Sequence, residues 1–369
     1  MTKPRARDLG LPFPGTPGPF NAITDVPGVE VGFCTLTDPA VHLHTGVTAI
    51  LPRGHGAEAI PVWAGHWALN GNGEMTGTHW IDDAGYFLGP VLISNTHAIG
   101  ACHTGAVQWM IDTYEEHFRG PAWAMPVVAE TYDGMLNDIT RLAVTPEHAR
   151  AALDAARCGP VSEGSVGGGT GMVAYDFKAG TGTASREVRL DRTYMVGALV
   201  QANFGIRPWL NILGKPVGKL MPEDPLQEEE SGSIIVVLAT DAPLSPLTLR
   251  AMAKRAALGI GRSGTVGSHN SGDIFLAFST ANPLPMSARA EWTSTFEQLN
   301  PEKATSLYEA AVEVVDEAVV NALVAGEDTP TFRPPGRICR AIDTKRLGEL
   351  FRENAAKDGQ NCCGGNANT

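Results

Sequence analysis

The residue pair Gly232-Ser233 joins two segments of opposite character. Before it lies the segment Met221 to Gly232, MPEDPLQEEESG, which is acidic, contains proline and has no apolar period. This composition predicts a solvated loop. After it the run Ile234 to Thr240, IIVVLAT, predicts a strand buried on both faces. At such a junction the hydroxyl of Ser233 can attack the carbonyl of Gly232, which tolerates backbone strain, and water can cleave the resulting ester.

Cleavage at this bond would turn Ser233 into a new N-terminus with two reactive groups. A free α-amine has a pKa of roughly 8, so a large fraction of it can act as a base beside its own hydroxyl at neutral pH. The local pattern alone also fits an ordinary turn, because Gly-Ser pairs are common between loops and strands. Other segments of the sequence are therefore needed to distinguish a self-cleaving bond from an ordinary turn.

The elements that would position this serine follow from hydrophobic patterns along the chain. Short β-like runs alternate with helical patterns, which predicts a layered α/β fold. The predicted strands are 47–51, 87–94, 125–129, 195–202, 234–240 and 274–279. The predicted helices are one from Pro146 to about Gly159, one from Pro246 to about Gly259, and one over 306–325 that Gly326 closes.

Five long segments of the chain carry a recognisable pattern. They are PGPFNAITDVPGVEVGFCTL near the start, VVAETYDGMLND at 127–138, LVQANFG at 199–205, GSIIVVLATDAPLSP at 232–246 and HNSGDIFLAFST at 269–280. These segments resemble one enzyme family, the L-aminopeptidase D-amidase/D-esterase and β-peptidyl aminopeptidase family of self-processing N-terminal-serine hydrolases. They occur in compatible order and extend the similarity over nearly the whole chain.

This resemblance implies a nucleophile and its supporting groups. The serine that the family exposes by autoproteolysis within GSIIVV corresponds to Ser233, so the cut would lie between Gly232 and Ser233. The family's SG[DE] element, which supplies a supporting serine and an acid, reads Ser271-Gly272-Asp273 here. Asp273 can orient the nucleophile through Ser271, much as the third member of a hydrolase triad orients its base. Whether the α-amine or the Ser271 and Asp273 pair is the general base stays open.

The resemblance also implies groups that bind the substrate. The tyrosine of ETYDG, Tyr132, and the asparagine of QANFG, Asn203, would hold the oxyanion. A phenol and a neutral amide suit this task because they donate hydrogen bonds without adding a competing charge. The glutamate of ETYDG, Glu130, would recognise the free amine of the substrate by charge pairing. Structural hydrogen bonds for Asn203 and Tyr132 and a solvated carboxylate for Glu130 are the alternatives, and the joint occurrence with Ser233 favours the functional roles.

The family further implies the fold and the organisation of the chain. We expect an α/β fold, an αββα four-layer sandwich resembling N-terminal nucleophile hydrolases, in one catalytic domain of residues 1–369. Cleavage would divide this domain into residues 1–232 and 233–369, and pairs of these fragments would form a homo-oligomer. Two alternatives remain: an acyltransferase of the ornithine acetyltransferase type, which uses threonine as nucleophile, and an unprocessed, inactive binding relative.

Composition and motifs restrict the partners. A net charge of −12 argues against nucleic acid and against an anionic membrane surface, since both need a basic patch. No secretory signal or membrane-spanning run is visible, so we expect a cytoplasmic protein whose partner is a small peptide, amide or ester. The histidines lack metal-ligand spacing, and the glycine-rich GSVGGGTG at 164–171 lacks the GK[ST] ending of a phosphate loop. We therefore expect no metal and no cofactor, and a tight turn at 164–171 where backbone approaches closely.

Overall fold

The computed structural model describes residues 3–56, 58–230, 232–283 and 291–361. Its strands are β1 (Glu30–Asp38), β2 (Leu43–Leu51), β3 (Val62–Ala68), β4 (Tyr86–Phe87), β5 (Val91–Asn95), β6 (Val127–Thr131), β7 (Val173–Ala174), β8 (Phe177–Lys178), β9 (Gly180–Arg189), β10 (Thr193–Asn203), β11 (Ser233–Thr240), β12 (Gly272–Ser279), β13 (Thr329–Pro330) and β14 (Ile338–Cys339). Its helices are α1 (Thr78–Ala84), α2 (Ile99–Thr113), α3 (Glu115–Phe118), α4 (Pro146–Asp154), α5 (Val217–Leu220), α6 (Pro246–Arg262), α7 (Thr305–Val324) and α8 (Thr344–Asn361). None of these helices is both long and apolar enough to cross a bilayer.

Two large sheets form the centre of the molecule. One has four strands in the order β1-β2-β5-β6, and the other has six in the order β4-β3-β12-β11-β10-β9. Neighbours are antiparallel in both sheets except for β5 with β6 and β11 with β12. The parallel pair β11 and β12 is joined through α6, as a parallel connection requires.

Three apolar cores separate four layers. The first core lies between the two sheets and includes Ile50, Ile93 and Val237. A second, with Trp109 and Leu153, packs α2 and α4 on the outer face of the four-stranded sheet. A third packs α6 and α7 on the outer face of the six-stranded sheet. The order is helix, sheet, sheet, helix, which confirms the predicted αββα sandwich.

The strand β11 is apolar along its length because both of its faces are covered. Side chains alternate along a strand, so Ile235 and Val237 enter the core between the sheets, whereas Ile234 and Val236 enter the core under the helices. Each of the strand's eight residues is buried. The sequence run that predicted a strand buried on both faces is thus explained by its central place in the six-stranded sheet.

Some predicted boundaries are wrong. The expected strand 87–94 is two strands in different sheets, because Gly89 adopts a positive φ of 98° and directly precedes Pro90. The helix expected to reach Gly159 ends at Asp154, and the helix expected to end near Gly259 continues to Arg262. The longest helix, expected at 306–325, forms at Thr305–Val324.

The glycine-rich segment 164–171 packs backbone against backbone, as expected. Gly167–Gly171 forms a 3-10 turn whose residues are all buried. A Cβ on Gly168 would lie 2.6 Å from the carbonyl oxygen of Ile93, and one on Gly169 would lie 2.3 Å from the amide nitrogen of Thr181. Only glycine fits at such distances, so this segment joins the two sheets at close range.

Candidate active site

Four strand ends from both sheets meet at one edge of the molecule. Ser233 is the first residue of β11 and pairs with Asn203, the last residue of β10, on one side. On its other side it pairs with Gly272, the first residue of β12. The end of β6, in the facing sheet, supplies Glu130 and is followed by Tyr132. The fold therefore brings together all the site residues that the sequence predicted.

Ser233 is 7% exposed, and its hydroxyl oxygen accepts a hydrogen bond from the backbone N–H of Gly272 at 3.2 Å. The alternation along β11 puts this side chain on the same face as Ile235, toward the facing sheet. A hydroxyl carries one hydrogen and two lone pairs. Because the bond from Gly272 uses a lone pair, the hydrogen of Ser233 is available to a base.

Gly232 is packed directly against β10. A Cβ at this position would lie 2.0 Å from the carbonyl oxygen of Asn203 and 2.7 Å from the Cα of Phe204. Gly232 is not among the residues with a positive φ. The need for glycine thus comes from this close approach and not from the strained backbone that sequence reasoning invoked.

Ser271 and Asp273 form a buried hydrogen-bonded pair on either side of Gly272, the residue that pairs with Ser233. The hydroxyl of Ser271 donates to Asp273 Oδ1 at 2.6 Å, and Asn70 Nδ2 donates to Asp273 Oδ2 at 3.2 Å. Ile274 belongs to the core between the sheets, so alternation turns Asp273 toward the helix layer, away from the face of Ser233. Asp273 therefore does not share a face of the sheet with Ser233, and its hydrogen-bonded partner Ser271 is the candidate link between them.

The environment of Asp273 favours its protonated form more than water does. Burial raises the pKa of Asp273 from 3.8 to about 6, and the hydrogen bonds from Ser271 and Asn70 only partly offset that rise. The negative charge of Glu230 raises the same pKa further. A carboxylate that titrates near pH 6 is suited to accept a proton and return it at neutral pH.

Asn203 is held in one orientation by two hydrogen bonds. Its Oδ1 accepts from the backbone N–H of Val173 at 2.9 Å, and its Nδ2 donates to the carbonyl oxygen of Tyr132 at 2.9 Å. A primary amide has two N–H donors, so one remains for another acceptor. Tyr132 itself is 42% exposed. Both residues line one pocket of ≈ 140 Å³ together with Gly232 and Arg333.

Glu130 is almost completely buried. Its Oε1 accepts from the backbone N–H of Glu74 at 3.0 Å, and its Oε2 accepts from the hydroxyl of Thr96. Burial raises the pKa of Glu130, and the bond from Thr96 acts in the opposite direction. Gly73 covers this carboxylate closely, since a Cβ on Gly73 would lie 3.2 Å from Glu130 Oε1 and 3.5 Å from the Cα of Gly272. Glu130 thus lies on the Gly272 side of the nucleophile.

Comparison with known proteins connects this geometry to a family. A sequence profile of peptidase family S58 matches residues 21–334. The chain belongs to peptidase family S58. It is 50% identical over 348 residues to the β-peptidyl aminopeptidase BapA of Sphingosinicella microcystinivorans, covering 88% of this chain and 86% of that protein. It is 44% identical to the β-peptidyl aminopeptidase BapA of Sphingosinicella xenopeptidilytica, covering 89% and 86%.

A solved structure shows the same fold. The L-aminopeptidase D-Ala-esterase/amidase of Ochrobactrum anthropi, described as a prototype of the serine aminopeptidases and a variant of the Ntn hydrolase fold, matches with a TM-score of 0.91 and 53% identity over 96% of this chain and 99% of that one. These matches confirm the predicted family, the N-terminal nucleophile hydrolase fold and the assignment as a hydrolase. The self-cleavage into two fragments and the roles of the individual residues stay predictions.

Sequence reasoning missed two polar groups of this S58 peptidase. Glu230 lies in the segment predicted to be solvated, most of which is exposed, yet its side chain is buried and its Oε1 accepts from the N–H of Gly205 at 2.6 Å. Asn70 follows β3 in the loop LNGNGE, and nothing in that loop's sequence points to Asp273, 203 residues away. No cluster of three or more metal-ligating side chains occurs in the described part of the chain.

Proposed function

We propose that this S58 peptidase cleaves itself between Gly232 and Ser233 and then releases small N-terminal residues from peptides, amino-acid amides or esters. The acyl-enzyme forms on Ser233. The observation that carries the proposal is the position of the Ser233 hydroxyl at the start of a rigid central strand, bonded to Gly272 N–H and next to the Ser271 and Asp273 pair. A nucleophile at the end of a buried strand is held with little freedom.

In the self-cleavage step, Ser233 Oγ attacks the carbonyl carbon of Gly232. The C–O bond forms, the C–N bond of the peptide breaks, and the hydroxyl proton ends on the released amine. Water then hydrolyses the ester and leaves a carboxylate on Gly232. Because the nitrogen of Ser233 is still an amide in the uncut chain, it cannot be the base for this step. Asp273 is the proposed acceptor through Ser271, whose lone pairs are available while its own hydrogen points to Asp273.

In turnover, the same oxygen attacks the carbonyl carbon of the substrate's amino-terminal residue, and the C–N bond to the leaving amine breaks. The free N–H of Asn203 and the phenol of Tyr132 stabilise the oxyanion, and the leaving amine takes the proton. Water then releases the acyl group from Ser233. In the cut enzyme the α-amine of Ser233 is also available, so either it or the Ser271 and Asp273 pair can serve as the base.

The proposed preference for small N-terminal residues rests on the surroundings of Glu130. This carboxylate would bind the substrate's free amine, and a Cβ on the neighbouring Gly73 would already lie 3.2 Å from its Oε1. This tight packing beside Glu130 supports a preference for small side chains. The names of the two relatives at 50% and 44% identity support including β-amino residues among the substrates.

Two measurements test this proposal. A denaturing gel of the purified protein should show two unequal bands, and mass spectrometry of the smaller fragment should find Ser233 at its N-terminus. A panel of alanyl, glycyl and β-alanyl amides and p-nitroanilides should then be hydrolysed. An active enzyme whose chain is intact at this bond would contradict the mechanism, and a single inactive band would favour the unprocessed binding relative.

Assembly and location are further parts of the proposal. The family resemblance supports a homo-oligomer of fragment pairs, and the cytoplasmic location expected in the sequence analysis is proposed with it. Light scattering coupled to gel filtration tests the first point, and fractionation of the source cells tests the second. A mass equal to one fragment pair, or recovery outside the cytoplasm, would contradict the corresponding part.

A further inference from the structure

The two flanks of Ser233 differ in what they can bind. On the Gly272 flank lies Glu130, the proposed site for the substrate's amine. On the Asn203 flank lies the pocket of ≈ 140 Å³ described above, which we call the leaving-group pocket and define by Tyr132, Met135, Asn203, Gly205 and Arg333. If the amine is held on one flank and the oxyanion on Asn203, the part of the substrate beyond the scissile bond extends into this pocket.

Arg333 gives the leaving-group pocket a positive charge. Its backbone N–H donates to the carbonyl oxygen of Met135 at 3.0 Å, which fixes its loop at the pocket wall. Its guanidinium lies 4.9 Å from the ring centre of Phe332. Among the described residues no carboxylate lies within 4.0 Å of this guanidinium. Arg340, farther along the chain, differs because it pairs with Asp328. Among the described residues that line the pocket, none is acidic.

A carboxylate lies next to this pocket in the uncut chain, bonded to the backbone of the lining residue Gly205. Glu230 Oε1 accepts from the N–H of Gly205 at 2.6 Å, and Oε2 is buried without a hydrogen-bond partner in the structure. Glu230 precedes the proposed cut by two residues, so cleavage would free the chain end that carries it. If Glu230 moves away, the Gly205 N–H would be available to another carboxylate, within the same pocket as Arg333.

We propose that the leaving-group pocket binds the free carboxylate of a one-residue leaving group, with Arg333 and the Gly205 N–H as its donors. The enzyme would then act preferentially on dipeptides with a free C-terminus. This inference rests on the proposed aminopeptidase function. Arginine suits the task because its planar fork matches a carboxylate. The pocket volume of ≈ 140 Å³ is close to that of a cavity that accepts a benzene-sized group, about 150 Å³, so it fits one residue.

The test compares matched substrates that differ only in charge at the C-terminus. Purified, processed wild-type enzyme is assayed on Ala-Ala and on Ala-Ala amide, and the ratio of the two kcat/KM values is measured. We expect a ratio on the order of 10 in favour of the free dipeptide. A hydrogen bond to a charged group contributes a binding free energy that corresponds to about a ten-fold effect. The difference should lie mainly in KM, because the carboxylate is remote from the reacting bond and is bound equally before and during reaction.

Variants of the arginine connect the ratio to this residue. Arg333→Gln should lower the ratio toward 1, and Arg333→Lys should keep part of it because the charge remains. Arg119→Gln is the matched control: this exposed arginine pairs with Glu115 and Glu116 on its own helix, and its variant should keep the wild-type ratio. Added salt should reduce the wild-type ratio, since a partly exposed ion pair is screened.

The ratios measured for the wild type and the Arg333 variants either support or overturn the carboxylate subsite. A wild-type ratio near 1, or an Arg333→Gln variant that retains the wild-type ratio, overturns the carboxylate subsite. If Arg333→Gln does not fold, the wild-type ratio and Arg333→Lys still test the inference. Failure of the proposed function looks different, because then the wild-type enzyme hydrolyses neither dipeptide nor alanine p-nitroanilide.

Discussion

Two buried polar clusters in this protein have opposite electrostatic designs. The Ser233 cluster, defined by Ser233, Ser271, Asp273 and Asn70, supplies its carboxylate with neutral donors only. The Arg186 cluster is defined by Arg7, Arg186, Glu313 and Glu317. There, Arg186 Nη2 lies 2.6 Å from Glu317 Oε2, Arg186 Nε lies 3.1 Å from Glu313 Oε2, and Arg7 Nε lies 2.9 Å from Glu317 Oε1.

The same physical force, burial, therefore has different results in the two places. It raises the pKa of Asp273 to about 6, because neutral hydrogen bonds compensate only part of the desolvation. Burial also acts to raise the pKa of Glu317, but hydrogen bonds from Arg7 and the charge of Arg186 outweigh it, so the pKa of Glu317 is lowered. A carboxylate among neutral donors can exchange a proton near neutrality, whereas one between two arginines stays ionised and contributes to structure.

The position of the Arg186 cluster gives it a further consequence. Arg7 and Arg186 belong to the predicted fragment 1–232, and Glu313 and Glu317 lie on α7 in the predicted fragment 233–369. These charge-assisted bonds would therefore hold the two fragments together after cleavage. The Ser233 cluster would change chemically on cleavage, while the Arg186 cluster would help to keep the cut protein folded.

The largest expected effect follows from removal of the nucleophile. Ser233→Ala should leave the chain uncut and lower turnover by about 10⁶-fold, as loss of a serine nucleophile does in other hydrolases. A gel for the intact chain and an assay on alanine p-nitroanilide measure this. Ser268→Ala, a nearby serine outside the cluster, should be cut and active. Normal turnover by Ser233→Ala would assign the chemistry to another group.

Asp273→Asn should lower the rate of self-cleavage and raise the stability of the folded protein. We expect self-cleavage to slow by about 10²- to 10⁴-fold, the range for loss of acid–base help. In the wild-type chain, self-cleavage should fall as the pH drops through about 6, because protonated Asp273 cannot accept the proton from Ser271. Cell-free synthesis at a series of pH values, with the rate of fragment formation as readout, measures both effects. An Asp273→Asn chain that cuts at the wild-type rate contradicts this role.

The raised pKa of Asp273 predicts how the stability of the folded protein changes with pH. A raised native pKa means that the folded state binds the proton more tightly, so the wild-type protein loses stability as the pH rises from about 4 to about 6. The loss is complete above that range and amounts to about 3 kcal/mol. Asp273→Asn removes this cost and should be more stable to urea than the wild type at pH 8. Equal stability at pH 8 would mean that water or another group already compensates the carboxylate.

Loss of the buried guanidinium of Arg186 should lower the stability of the protein, whereas Asp273→Asn should raise it. Arg186→Met leaves Glu313 and Glu317 without their shared partner and should lower the free energy of unfolding by about 3 to 5 kcal/mol. Urea denaturation of the processed protein measures the loss. Arg192→Met is the control, because Arg192 pairs with Glu297 at the surface and its loss should change little. A small effect of Arg186→Met would show that Arg7 alone satisfies Glu317.

The smallest effect concerns the support of Asp273. Asn70→Ala removes one donor from the Asp273 carboxylate and should slow self-cleavage by about ten-fold. It should also move the acid limb of self-cleavage above pH 6, since a hydrogen bond that favours the ionised form is lost. Asn72→Ala is the matched control, because Asn72 donates to the Asn270 carbonyl oxygen and not to Asp273. A slower reaction with no shift of the acid limb would indicate a structural effect of Asn70 only.

Part of the site could be predicted because its signals are local. The change from an acidic loop to a run of β-branched residues identifies Ser233, and SGD and ETYDG identify Ser271, Asp273, Tyr132 and Glu130 through the family resemblance. The layered fold also follows from local alternation. The split of the expected strand 87–94 could not be predicted from apolarity, because the two halves are equally apolar and belong to different sheets.

The sequence by itself determined which chemical groups this protein has and in which order strands and helices carry them, because side-chain type and hydrophobic period are properties of neighbouring residues. Only the tertiary structure decided the protonation tendencies and the supporting contacts: Asn70 on Asp273, Glu230 on Gly205, and Arg333 at the leaving-group pocket. The physical reason is that desolvation and hydrogen bonding depend on which atoms surround a group, and the surroundings here come from residues up to about 200 positions away.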